Sequence, residues 1–221
     1  MHRLYHLPLS PFCRKIRLVL AEKNVDVEMV EERPWDRRLD YLRQNPAGKV
    51  PMLKIDKLIL ADSTAIFEYL EEIHPTPALL PETPAARAEA RRLAMWFDDK
   101  FHQEVTVNLL YERVNKKLMS AGPPEGAWIK AGIANVKYHL DYMAWLLEQR
   151  KWLAGDSMTI ADFAAAAQLS CLDYINDVDW ARQPLVKDWY SKIKSRPAFR
   201  PILADLVPGF VPPPHYADLD F

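Results

Sequence analysis

Hydrophobic and polar positions divide the chain into two regimes. Residues 3–7 read as a short apolar strand, and a helix follows to about Lys23, with Ile16, Leu18, Val19 and Leu20 on its inner side. Residues 25–32 set Val25, Val27 and Met29 against Asp26 and Glu28, the alternation of a half-buried strand. Strand, helix and strand make a βαβ unit, which implies parallel pairing and a right-handed crossover. A short helical piece ends near Arg43. Residues 52–55 and 58–61, joined at Asp56-Lys57, then predict an antiparallel hairpin. Asp62-Ser63-Thr64-Ala65-Ile66 opens a further helix to Ile73. The order β-α-β-α-β-β-α is a thioredoxin-like arrangement.

Pro75, Pro77, Pro81 and Pro84 then interrupt the chain, too closely spaced for a helix or a central strand. Beyond them every pattern is helical. Two long amphipathic stretches, 84–119 and 124–149, predict an antiparallel pair. Thr159 and Asp162 have capping-box spacing, with Met158 and Phe163 placed as a hydrophobic staple. The helix they open is apolar on nearly every face, which puts it, and Cys171 with it, at the centre of the helical body. Residues 189–194 and 199–206 read as short closing helices. These boundaries predict an α/β thioredoxin-like domain (1–75), a proline-rich linker (76–84), an all-helical domain (85–207) and an extended tail (208–221).

Composition narrows the setting. The 221 residues carry a formal net charge of -1, so no global field favours nucleic acid or an acidic membrane surface. The two cysteines, Cys13 and Cys171, give neither a disulfide framework nor a zinc pattern. No apolar run is long enough to cross a bilayer, and the first residues lead into a strand without a signal-peptide core. The expectation is a cytoplasmic protein without metal.

Candidate chemistry gathers at Leu7-Pro8-Leu9-Ser10-Pro11-Phe12-Cys13-Arg14. Ser10 stands at an N-cap with Pro11 at the first helical position. Cys13 then falls in the first turn, where unpaired amides and the helix dipole favour a thiolate, and Arg14 and Arg17 add positive charge. A plain cap and a buried apolar cysteine are the alternative reading of the same residues. Val50-Pro51, where a strand begins, is a candidate cis peptide whose backbone would face a ligand. Ser63 and the first-turn amides after Asp62 offer a second anion site. Trp35, in the mixed-charge run Glu31-Glu32-Arg33-Pro34-Trp35, is either a lid over a pocket, a partner contact or a half-buried packing residue. The tail with Tyr216, Asp218, Leu219, Asp220 and Phe221 either packs back on the body or serves another protein.

Ser10-Pro11-Phe12-Cys13, Asn45-Pro46 with Val50-Pro51, Asp62 to Ile66, the proline linker and the Thr159–Phe163 box together resemble the cytosolic glutathione transferase family, in that family's order along the whole chain. The resemblance implies glutathione as co-substrate, activated for conjugation or thiol transfer, and a homodimer. It implies that Val50 pairs its backbone with the cysteinyl group beside Pro51, that Asp62 and Ser63 hold the γ-glutamyl end, and that Ser10 or Cys13 faces the sulfur as the catalytic group. Glu31–Trp35, Trp96-Phe97-Asp98-Asp99-Lys100-Phe101 and the ending His215–Phe221 are similar to an alphaproteobacterial branch whose members bind the division protein FtsZ. On that alternative the protein is a non-catalytic adaptor, and Trp35, Tyr216, Asp218, Leu219, Asp220 and Phe221 contact the filament.

Overall fold

In the computed structural model, which describes residues 2–219, a four-stranded mixed sheet has the order β2-β1-β3-β4. β1 (Arg3–His6) pairs in parallel with β2 (Glu28–Glu31) and antiparallel with β3 (Met52–Ile55), which turns back into β4 (Leu58–Ala61). α1 (Pro11–Glu22) carries the crossover, α2 (Leu39–Leu42) is a single turn, and α3 (Ser63–Ile73) closes the domain. β2 is shorter than its alternation predicts. Val25 N–H bonds to Leu20 C=O and closes the end of α1, so residues 25–27 are connection rather than strand. As an edge strand β2 leaves Met29 41% exposed, where the sequence pattern had turned it inward.

The C-terminal domain is helical. α4 (Pro84–Met95) starts on a Thr83 cap and runs on through a π-helical segment (Trp96–Asn115) into α5 (Lys116–Leu118). α6 (Gly126–Leu147), α7 (Ile160–Tyr174), α8 (Pro184–Lys194) and α9 (Arg200–Leu203) complete it. α6 lies against the π segment, and every residue of α7 is buried among α1, α4 and the π segment. One apolar cluster runs through both domains, from Leu4, Ile16, Leu53 and Phe67 to Phe97, Phe101, Leu169 and Leu172. α1 is thus shared property: one side serves the sheet and α3, the other meets α7.

The linker is held by charge. The Lys23 ammonium, wholly enclosed, donates to His74 C=O (2.6 Å) and Pro77 C=O (2.9 Å) and pairs with Glu71 at 2.8 Å. Glu71 in turn accepts the Leu79 and Leu80 N–H groups. The Thr159–Asp162 capping box forms as its spacing predicts. The Asp162 carboxylate also accepts Leu153 N–H (3.0 Å), Thr159 N–H (2.8 Å) and Trp189 Nε1–H (2.9 Å), tying α7 to the preceding turn and to α8. Removing it strands three buried donors at once. Asp162→Ala is expected to cost about 3 kcal/mol of folding stability. Urea unfolding of the variant checks this, and a loss near zero would show that the box is dispensable.

Candidate active site

The Leu7–Ser10 turn is fastened through its carbonyls and through the Leu7 and Ser10 amides. Leu7 N–H donates to Cys13 Sγ (3.4 Å), Leu7 C=O accepts Ser10 N–H (3.0 Å), Pro8 C=O accepts Arg14 Nε–H (2.8 Å), and Leu9 C=O accepts the Cys171 thiol (3.3 Å). Ser10 caps α1 as predicted, its Oγ accepting Cys13 N–H at 3.3 Å. The hydroxyl therefore keeps its own O–H to donate.

Two sequence expectations at this turn are corrected. Cys13 is completely buried, and burial pushes its thiol up to about 12 against the pull of the Ser10 hydroxyl and Leu7 N–H. Desolvation outweighs the helix terminus, so the thiolate expected of a first-turn cysteine is not favoured. Arg14 and Arg17 supply no free positive charge either. Arg14, wholly buried, donates to Ser170 Oγ (2.9 Å) and Asp205 (3.1 Å), and Arg17 binds the same Asp205 carboxylate at 2.8 Å. Cys171 is buried and inert as expected, its thiol raised to about 11 by desolvation.

Two cavities meet at Phe12, in the first turn of α1. The first, about 480 Å³, is lined by Val50, Pro51, Asp62 and Ser63, together with Lys49, Asp98 and Asp99. The second, about 520 Å³, is lined by Ser10, Trp35, His102, Thr106, Tyr111 and apolar neighbours. Val50, Lys49 and Phe12 line both, so the candidate residues sit in two compartments joined at Val50 rather than in one. The Val50–Pro51 peptide is cis. Asn45, the first residue of the Asn-Pro pair, is buried and donates from Nδ2 to Lys49 C=O (2.7 Å), a carbonyl that also accepts the Tyr41 hydroxyl (2.6 Å). This fixes the Lys49–Val50 peptide between the compartments.

The α3 anion site is narrower than predicted. Asp62 adopts φ +80° and caps its own helix, accepting Thr64 N–H (2.7 Å) and Ala65 N–H (3.3 Å). Those amides are already used, which leaves Ser63, buried against the cavity, as the group for a ligand. Opposite stand Asp98 and Asp99. Burial pushes the Asp98 carboxyl up while the Lys15 ammonium, paired with it across the domain boundary, draws it down. Three carboxylates and Lys49 around one cavity suit a zwitterion better than a simple anion. Sequence reasoning missed Lys49, Asp98, Asp99 and His102 as site residues. Nothing local marks them, because Asp98 acquires its position only from Lys15, on another element.

The adaptor residues divide. Trp35 is half-buried and lines both the second cavity and a third of about 200 Å³ beside Leu206 and Pro208. Tyr216 is corrected as a surface contact: it is fully buried, its hydroxyl donates to Ile202 C=O (3.1 Å), and its ring meets Tyr174 edge-on at 5.1 Å. Aromatic burial with a satisfied hydroxyl outweighs exposure here. The tail thus packs back at Tyr216, while Asp218 is exposed and Leu219 half-buried. Asp220 and Phe221 lie outside the described residues.

A thioredoxin-like sheet with its cavity at Val50–Pro51, joined to a helical domain through a shared first helix, defines a glutathione transferase architecture. The chain belongs to the glutathione S-transferase family: residues 4–78 match the model of its N-terminal domain and residues 133–204 that of its C-terminal domain. It is 46% identical to FtsZ-localized protein A of Caulobacter vibrioides over 222 aligned residues, covering 99% of this chain and 97% of the relative. The structure superposes on that of a glutathione S-transferase from Rhodospirillum rubrum F11 with a TM-score of 0.98 at 51% identity, covering 100% of both chains. It also matches a glutathione S-transferase of Methylobacterium radiotolerans in complex with glutathione sulfonate, with a TM-score of 0.76, 30% identity and coverage of 93% and 97%. Among the described residues no helix is long and apolar enough to cross a membrane, and no group of three or more His, Cys, Asp or Glu side chains could hold a metal.

Proposed function

We propose that this protein is an adaptor of the bacterial division machinery that binds FtsZ filaments in the cytoplasm, built on a glutathione transferase fold. The observation that carries this reading is end-to-end similarity to FtsZ-localized protein A, at 46% identity and 99% coverage of this chain. The corrected chemistry supports it too: the buried Cys13 thiol is no candidate for thiol transfer. With Tyr216 committed to the core, Trp35 and the exposed surface around it become the docking element. Purified protein is expected to co-sediment with FtsZ filaments, and Trp35→Ala to weaken co-sedimentation at least about tenfold. Wild-type protein that stays in the supernatant overturns the adaptor reading.

A second reading, glutathione binding, has its own support. Ser63, Val50 and Lys49 line one cavity, Ser10 lines the next, and a relative of the same fold is described as a complex with glutathione sulfonate. On this reading Ser63 holds the γ-glutamyl carboxylate, Val50 the cysteinyl backbone, and the Ser10 O–H stabilises the thiolate. Titration calorimetry is expected to give a millimolar or tighter dissociation constant for glutathione, weakened about tenfold by Ser63→Ala. Absence of heat removes this reading and leaves the first untouched.

The protein also pairs with itself on this proposal. Tyr138, Tyr142 and Trp145 fall at i, i+4 and i+7 along α6. Tyr138 is 62% and Trp145 52% exposed, and Tyr142 stacks on Trp145 (6.0 Å) and lies tilted against Trp96 (4.7 Å). An exposed aromatic stripe of this kind marks an interface. Sedimentation velocity is expected to show a dimer that Trp145→Glu dissociates; a monomer at micromolar concentration overturns the assignment.

A further inference from the structure

Where the end of α6 meets α8, a groove of about 290 Å³ opens that neither functional reading uses. On the α8 side it is lined by Leu185, Asp188, Trp189 and Lys192, which fall at i, i+3, i+4 and i+7 and so share one face of that helix. The opposite wall is Leu147, at the end of α6, with Arg150, Lys151 and Trp152 in the turn beyond it. None of these residues lines the cavities around Val50 and Trp35.

The apolar part of the groove is held rigid. Trp189 is buried, and its Nε1–H is committed to Asp162, so the indole brings no free donor to the groove. Trp152 is half-buried on a tight turn, closed by its own N–H to Gly155 C=O (2.9 Å) and by Gly155 N–H to Trp152 C=O (3.2 Å). The charges around it are unequal. Three cations line the groove with one carboxylate, Asp188, in a chain whose formal net charge is -1. Arg150 is already engaged, its Nη1–H groups serving Glu89 (2.9 Å) and Leu153 C=O (2.9 Å). Lys151 and Lys192 are exposed, one on each wall, and among the described residues neither has an ion-pair partner. Asp188 stands one turn before Lys192, at a spacing that often pairs on helices, and still leaves it unpaired.

We propose that this groove docks an acidic segment of a partner protein, which sets one aromatic side chain against Trp152 and Trp189 while carboxylates on either side of it pair with Lys151 and Lys192. About 290 Å³ falls just under the usual range of about 300–1,000 Å³ for small-molecule sites, so the groove fits a single side chain rather than a whole ligand. An apolar anchor pocket inside a charged rim is the anatomy of a protein interface. Because the two indoles are already fixed, little ordering is lost when the anchor enters. The lysines on opposite walls ask for an acidic residue on each side of the anchor and repel a basic segment. An anionic membrane surface would satisfy the lysines but leave the concave floor unfilled. The proposal goes beyond both functional readings, since it requires neither glutathione nor the Trp35 surface.

Fluorescence anisotropy on the full-length protein tests it with three labelled peptides: a central phenylalanine flanked by glutamates, the same peptide with serine at the centre, and a phenylalanine flanked by lysines. The first is expected to bind with a dissociation constant of about 100 µM, at least about tenfold tighter than either of the others. Reversing both rim charges, Lys151→Glu with Lys192→Glu, should transfer the preference to the lysine-flanked peptide. Trp152→Ala should bring the phenylalanine peptide down to the level of the serine one. Hydrogen exchange should show the bound peptide protecting residues 147–152 and 185–192. Failure of the acidic peptide to bind, equal binding of the acidic and basic peptides, a preference that survives charge reversal, or protection elsewhere overturns the proposal. Preferential sedimentation with phosphatidylglycerol vesicles, lost on charge reversal, assigns the groove to a membrane and also overturns it. Self-association lost on charge reversal assigns it to a second copy, with the same consequence. The wild-type comparison of the three peptides decides the matter even if the Trp152 variant folds poorly.

Discussion

The buried Arg14 guanidinium is the constraint on which the rest of this molecule depends. It leaves α1 and reaches Pro8 in the Leu7–Ser10 turn, Ser170 in α7 and Asp205 after α9, while the Tyr174 and Tyr216 rings lie 5.9 and 6.0 Å from it. A buried charge is tolerated only with its donors paired, so this one side chain fixes the mutual placement of sheet domain, helical domain and tail. The turn carrying Ser10 inherits that rigidity. Both cysteines serve it as well, Cys13 from within α1 and Cys171 from α7, and this gives the one thiol that looked like candidate chemistry, Cys13, a structural duty.

Around that fixed turn the protein maintains two small compartments of different character. One is ringed by Asp62, Asp98, Asp99 and Lys49, with Ser63 at the start of α3; the other is largely apolar, with Ser10, His102 and Thr106 as its polar points. Val50 is common to both, and its peptide is oriented by Asn45 and Tyr41 acting on the Lys49 carbonyl. The domains are joined at the same place, where Lys15 of α1 meets Asp98 of the π segment. Ligand occupancy and the packing between domains therefore share residues. A fold of this kind can serve recognition of a macromolecule while retaining a cleft, and Trp35, which lines the second cavity, stands where the two meet.

The outer surface is distinct in chemistry from the cleft. α6 presents an aromatic ladder, Trp35 lies at a junction of two cavities, and Leu206 and Val211 are almost fully exposed near the tail. Tyr216, by contrast, is taken out of that surface by its hydrogen bond to Ile202 and its contact with Tyr174. Together with the ion pairs of Arg14 and Arg17 at Asp205, this ties the C-terminal segment to the core at Asp205 and Tyr216.

Much of the architecture was legible in the amino-acid order alone, because it depends on local physics. Proline placement, the Ser10 and Thr159 caps, the Asp56-Lys57 turn and the 3.6-residue periodicity of the long helices act within a few residues of themselves. The sequence therefore determined the order of elements, the thioredoxin-like and helical halves, and the family. What it left to the tertiary structure were the properties set by partners far along the chain. Whether Cys13 is a thiolate or a buried thiol depends on desolvation by the packed body. Whether Arg14 is free depends on Asp205, 191 residues away. Whether Tyr216 is a surface contact depends on Tyr174 and Ile202. Charge, burial and hydrogen-bond partnership at these positions are decided by three-dimensional neighbours, and no pattern within a few residues encodes them.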